Sequence, residues 1–278
     1  MEIIEIYKSL DESFIQGSGG NFSYKQDNYI YIKSSGLTQE QVNIDNLSIC
    51  DINIIRDGYA KNVAWQKVHK SAQLNTFKPS MEIGFHALSR YKYVLHFHNI
   101  FLNLMVIEGK ITDNVVNYAC PGIELTHKIQ MHLDKPILHL KNHGQIIQSN
   151  TIEGLQKCIE ELNFIIQTYT NEKFSIPPLI KNNNHWTHDG PYQYLTGSFL
   201  FPDAVVFGNA MGSNIINKGD HIQLYMDKNA AMKAAVNLYT HAYMERFLSL
   251  QDINPIYIKD TNRIIEHPDE QYRRQLCN

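Results

Sequence analysis

Between Pro79 and Thr170 the hydrophobic spacing switches repeatedly between a helical period near 3.6 and a strand period of two. Helix-type spacing covers Ser80–Arg90, Ile100–Ile107, Ile123–Leu133 and Ile152–Thr170, and strand-type spacing covers Tyr93–His98, Val115–Ala119, Ile137–Lys141 and Gln145–Gln148. Segments interleaved in this way predict an α/β fold of α-β-α layers, because separate all-helical and all-β parts would group like with like. Asn150 or Thr151 is placed to cap the last helix, and Glu153 puts an acid in its first turn.

Upstream, helical spacing over Met1–Phe14 predicts a helix that breaks at Gly17-Ser18-Gly19-Gly20. Asn21–Lys25 and Tyr29–Lys33 then predict a hairpin around Gln26-Asp27-Asn28, closed by a second break at Ser34-Ser35-Gly36. Downstream, residues 171–202 are polar and carry Pro177, Pro178, Pro191 and Pro202, the pattern of a long loop or an interdomain excursion. Strand-like segments at Ala204–Phe207 and His221–Tyr225 precede a helix over Lys228–Leu250 and a charged end containing Asp269–Leu276.

Charge narrows the function classes. With 25 basic and 28 acidic residues among 278, the net charge is −3, and no run of Lys or Arg marks a nucleic-acid surface. The apolar stretches fall far short of the ~20 residues of a membrane helix, and the start MEIIEIYKSLDE is too acidic for a signal peptide, so a cytoplasmic protein is expected. Cys50, Cys120, Cys158 and Cys277 form no CxxC pair, which predicts reduced, packed thiols and no zinc ribbon. Thirteen histidines stand out.

Two of them, His96 and His98, flank Phe97 in an apolar strand, where the period of two turns both imidazoles to one face. A third, His143, stands in Lys141-Asn142-His143-Gly144 where another apolar strand ends. Three imidazoles with one open position is the pattern of a catalytic zinc site. Glu82, expected in the first turn of a helix that Ser80 could cap, is a candidate fourth ligand or general base. Gly19-Gly20-Asn21, Ser35-Gly36 and Ser80 combine amide donors and hydroxyls, as a phosphate cradle requires. His86 and His139 lie in apolar settings without an evident partner and read as structural.

GSGGNFS at 17–23, KSSG at 33–36, PSMEIGFHAL at 79–88, YVLHFH at 93–98, YACPGIEL at 118–125 and LKNHG at 140–144 occur in the order found in the class II aldolase/adducin family, which the chain resembles over roughly residues 10–172. The resemblance implies one domain over residues 1–278, with 171–278 as a C-terminal extension, built on a central, mostly antiparallel sheet flanked by helices. It implies that His96, His98 and His143 hold one Zn2+, or another divalent metal, per subunit, and that Glu82 is the catalytic acid/base. Gly20, Asn21, Ser35, Gly36 and Ser80 match the residues that hold the substrate phosphate. Two departures accompany the match: Met81 stands where phosphate-binding members often have a second serine, and Val106–Asn117 is too short to place the family's proton-donor tyrosine. Tyr118 matches a different position and reads as a packed or interface residue.

The activity implied is zinc-dependent aldol cleavage or formation of a carbon–carbon bond in a sugar or sugar phosphate through an enediolate, in a homo-oligomer, commonly a tetramer, in the cytoplasm. A sugar-phosphate 4-epimerase working by retro-aldol and aldol steps uses the same groups. An adducin-like, non-catalytic assembly module is the contrasting possibility, which the presence of Glu82 and all three histidines argues against. A cupin-type site finds no support, since NIFLNLM after His98 supplies no glutamate.

Overall fold

The structure, a computed structural model, describes residues 2–209 and 214–268; the charged end at Asp269–Leu276 and Cys277 lie outside the described residues. Helix α1 (Glu2–Ser9) turns Ile3, Ile4, Ile6 and Tyr7 inward and stops short of the expected Phe14, because the Asp11 carboxylate takes the amide and hydroxyl of Ser13 and starts a separate turn. Strands β1 (Asn21–Gln26) and β2 (Tyr29–Ile32) form the expected hairpin, with Asp27 at φ 54 in its turn. Strand β3 (Ser48–Asp51) and helices α2 (Ile52–Ala60) and α3 (Trp65–Ala72) follow, elements with no counterpart among those expected. All three are short, and α3 buries only Val68, His69 and Ala72.

Next come α4 (Ile83–Leu88), β4 (Tyr93–Phe97), α5 (Ile100–Ile107), β5 (Val115–Val116), α6 (Ile123–Ile129), β6 (Ile137–Leu140), β7 (Gly144–Ser149) and α7 (Ile152–Tyr169). Thr151 is the cap of α7, its side chain accepting from the Gly154 amide. The seven strands run in the order β3-β2-β1-β4-β7-β6-β5, and every pair is antiparallel except β5 with β6. Leu95 and Phe97 face α1, α5 and α7 on one side of the sheet, while Val94 and Ile146 face α4 and α6 on the other. The α-β-α layering and the mostly antiparallel sheet are therefore as expected.

The C-terminal part corrects two expectations. Residues 171–202 contain the strands β8 (Ile180–Lys181) and β9 (Trp186–Asp189), which join β10 (Ile215–Asn217) and β11 (His221–Leu224) in a second sheet ordered β10-β11-β9-β8. Four-residue pairings between polar edges carry too weak a period to be seen in sequence. Ala204–Phe207 is helical: α8 (Pro202–Ala204) opens with Pro202 and continues as a π-type turn over Val205–Asn209. Val205, Val206 and Phe207 are each buried, which mimics the continuous apolar run of a buried strand. Helix α9 (Lys228–Leu250) spans its expected range, and α10 (Thr261–Ile265) closes the described chain.

Ile100, Phe101 and Leu104 of α5 share one apolar cluster with Phe199–Phe207 and with Tyr243, Met244 and Leu248 of α9. Cys50 and Cys158 are buried and Cys120 is half-buried, all free thiols. Among the described residues no helix is long and apolar enough to cross a membrane.

Candidate metal centre and active site

Central strand β4 carries His96 opposite Asn21 of β1 on one side and Ile146 of β7 on the other, so the site sits in the middle of the sheet. His98 follows directly after β4, and its amide donates to the Phe14 carbonyl at 3.0 Å. His143 occupies the β6–β7 turn, where Asn142 takes a left-handed φ of 56 and the His143 amide donates to the Leu140 carbonyl. The three rings converge, with centroids 4.9, 4.9 and 5.2 Å apart, and one ligand nitrogen from each lies within 4.8 Å of the others.

The nitrogens that converge are the Nε2 atoms. His96 Nε2 stands 3.1 Å from His98 Nε2 and 3.5 Å from Glu82 Oε2, and His143 Nε2 stands 3.4 Å from Glu82 Oε1. His96 Nδ1 lies 2.8 Å from the Gln145 carbonyl, which can only accept, so Nδ1 carries a proton and Nε2 is the ring nitrogen turned to the site. Burial holds the His143 imidazole far below its ordinary range, down to about 3, and so keeps it neutral. Glu82 Oε1 is buried without a directed hydrogen-bond partner among the described residues. Three converging imidazole nitrogens beside a carboxylate are a donor set that suits a divalent cation.

Glu82 lies just ahead of α4, at its N-cap position and not within its first turn, and is 5% exposed. Ser80 Oγ accepts from the Glu82 amide at 3.3 Å, so Ser80 closes the entry turn without capping the helix proper. The Asn21 amide nitrogen donates to Glu82 Oε2 at 2.7 Å and to Ser80 Oγ at 3.2 Å. Behind Asn21, His86 bridges the Asn21 carbonyl oxygen and Ser23 Oγ at 2.8 Å, a pair of partners that its apolar sequence setting conceals. Burial keeps His86 neutral, so Nε2–H donates to Asn21 and Nδ1 accepts from Ser23. A fixed chain of hydrogen bonds thus runs from Ser23 through His86 and Asn21 to Glu82.

Gly20, Asn21, Ser35, Gly36 and Ser80 line one pocket together with Glu82, His98 and His143. Gly20 has φ +63, and a Cβ there would sit 2.7 Å from the His96 carbonyl oxygen, so only glycine lets this loop rest on β4. Met81 lines the pocket where a second serine would supply a hydroxyl. Tyr118 is half-buried against the C-terminal apolar cluster. His139, on β6, is packed as expected, and burial lowers it to about 4.

Two lining residues with ionisable side chains escape the sequence analysis. Lys33, 2% exposed, brings a cation to the cradle and donates to the Ser18 carbonyl at 3.1 Å; its signal was its place inside KSSG. Asp203, 4% exposed, enters from the C-terminal part, where a single acid after Phe201-Pro202 carries no spacing signal toward residues near 96.

A family model described as the class II aldolase and adducin N-terminal domain matches residues 1–170. An L-fuculose phosphate aldolase of Methanococcus maripaludis is 25% identical over 177 residues, which cover 59% of this chain and 96% of that protein. One from Methanococcus vannielii is 28% identical over 182 residues, covering 60% and 97%. The N-terminal class II aldolase domain of a conserved protein from Thermoplasma acidophilum superposes with a TM-score of 0.52 at 18% identity, covering 60% of this chain and 92% of that structure.

Proposed function

The chain belongs to the class II aldolase and adducin family, and from that premise we propose that it is a metal-dependent aldolase that breaks or forms a carbon–carbon bond in a sugar phosphate. The observation that carries the reading is the convergence of three Nε2 atoms on the Glu82 carboxylate, in a pocket whose rim is the glycine and serine loops. The names of the curated relatives support a phosphorylated substrate. His96, His98 and His143 would hold the metal through Nε2, and an all-imidazole set of three suits zinc. A divalent ion bound there supplies Lewis-acid polarisation of the substrate carbonyl and neutralises charge on its oxygen as the bond breaks.

The chain's own residues do the rest. Glu82 gives a proton to the carbon beside the carbonyl in the cleavage direction and removes it in the condensation direction. Because the Asn21 amide clamps Oε2, Oε1 is the oxygen left to carry that proton. Gly20, Ser35, Gly36 and Ser80 supply amides and hydroxyls to the phosphate, with the Lys33 cation beside them. Residues 1–278 would act as one unit on this reading, which one apolar cluster joining α5 to α9 supports, and family membership extends the proposal to a homo-oligomer, in the first instance a tetramer.

Deuterium exchange into dihydroxyacetone phosphate, followed by NMR in heavy water, tests the reading without knowledge of the aldehyde partner. Metal-loaded protein is expected to exchange the proton and chelated protein to lose the exchange. Zinc-loaded protein that exchanges nothing would exclude this phosphorylated donor.

A further inference from the structure

Apart from the neighbouring Pro202, every residue lining the site pocket but one belongs to the segment that the family model matches. The exception is Asp203, whose Oδ2 stands 3.6 Å from Nδ1 of His98, across the ring from the Nε2 that faces His96. We propose that Asp203 is a positioning residue: it receives the Nδ1–H of His98, fixes that ring's tautomer and orientation, and so presents Nε2 as a metal donor. The proposal rests on the metal-centre reading given above and assigns to the C-terminal extension a part in the active site.

Four observations carry it. The Asp203 carboxylate is 4% exposed, and His98 Nδ1 stands 3.6 Å from it inside the same buried pocket, where charge and dipole interactions are little screened. The segment that delivers it is anchored and not loose: Leu200, Ala204, Val205 and Val206 are wholly buried, and Asn142 Nδ2 donates to the Leu200 carbonyl at 3.0 Å and to the Ile256 carbonyl at 2.9 Å. Asn142 is also the neighbour of His143, so the same turn carries a ligand and holds the approach of Asp203. The pair packs closely against position 19, where a Cβ would lie 3.0 Å from the Gln16 carbonyl oxygen, 3.1 Å from His98 Nδ1 and 3.3 Å from Asp203 Oδ2. Finally, the neighbouring His96 has its Nδ1 held by an acceptor at hydrogen-bond distance, the Gln145 carbonyl at 2.8 Å, against 3.6 Å for His98 and Asp203. Metal-ligating imidazoles commonly hand their second N–H to a carboxylate or carbonyl, and loss of that acceptor typically costs 10- to 100-fold in metal affinity or activity.

The test is zinc affinity of the full chain, measured by competition with a chromophoric chelator, beside the visible spectrum of the cobalt(II) form. D203A is expected to bind zinc about 10- to 100-fold more weakly than the parent and to shift the cobalt bands. D203E is expected to recover part of the affinity, which a purely structural loss would not allow. Should D203A fail to fold, D203L decides, since leucine is close to aspartate in size and has no acceptor oxygen, with the melting temperature of the metal-free protein as the control for fold. Zinc affinity within twofold of the parent in a folded D203A or D203L, with KM for the ketose phosphate raised instead, would overturn the proposal and make Asp203 a substrate contact. A parent chain that takes up neither zinc nor cobalt would overturn the metal-centre reading itself, an outcome distinct from unchanged affinity in the variants.

Discussion

Asn21 serves three neighbours at once, since its amide nitrogen donates to Glu82 and Ser80 while its carbonyl oxygen accepts from His86. Glu82 is therefore held in one orientation, and its role separates cleanly from that of the imidazoles. For Glu82→Gln, carbon–carbon cleavage is expected to fall by at least about 100-fold, the usual worth of a positioned acid/base, while the metal content stays at the parental level. Activity assays paired with metal analysis of the same samples check both halves; loss of metal along with activity would instead make Glu82 a required ligand. At this level the sequence was informative where chemistry follows a short period. His96 and His98 share a face because a strand has period two, whereas His86 and Asp203 find partners 65 and 105 positions away by residue number, and no local pattern encodes that.

Helix α5 reads Ile-Phe-Leu-Asn-Leu-Met-Val-Ile, and all but its last residue are buried because it is covered on two sides. Leu102 and Met105 pack with the sheet cluster, Ile100, Phe101 and Leu104 with the C-terminal cluster. An apolar helix of this kind declares that it is buried without saying by what, which is why the C-terminal half was the least legible part of the fold. The same ambiguity hid the helical turn after Pro202, since an all-buried run looks alike in strand and helix. Asn142 is the polar link across this boundary, and its left-handed backbone allows two losses to be told apart. Asn142→Ala forfeits two hydrogen bonds and strains the turn, for about 2–3 kcal/mol in all. Asn142→Gly keeps the backbone at ease and is expected to cost less, a difference that urea unfolding of both variants measures.

Several histidines are buried neutral, and together they set how the molecule responds to acid. Burial lowers His139 and His241 to about 4, and His86 and His143 are lowered as well. In the unfolded chain each titrates near 6.5, so between pH 6.5 and 4 the unfolded state binds protons that the fold refuses. Stability is thus fully present above pH 6.5 and is lost as the pH falls toward 4, by at most about 3 kcal/mol for each histidine held near 4. Glu245 of α9 opposes this, because burial raises its carboxyl to about 7 and its contribution is lost as the pH rises from 4.5 to 7. His241 and Tyr257 face it at 3.7 and 2.9 Å. Melting temperatures of the metal-free protein across this window are expected to fall on acidification, and more steeply in Glu245→Gln.

The strand pairing has a further consequence, one of timing. The His96–His98 pair rides on β4 and His143 on the turn into β7, and these strands meet only when Phe97 pairs with Gln145 and His96 with Ile146. Some 45 residues must close into a loop before three nitrogens can gather, which would make any ion bound there a late passenger in folding. Once aboard, it would act as a latch on that register: a slip of β7 by one residue sends its side chains to the opposite face and scatters the donors, so a captured ion penalises every misaligned sheet.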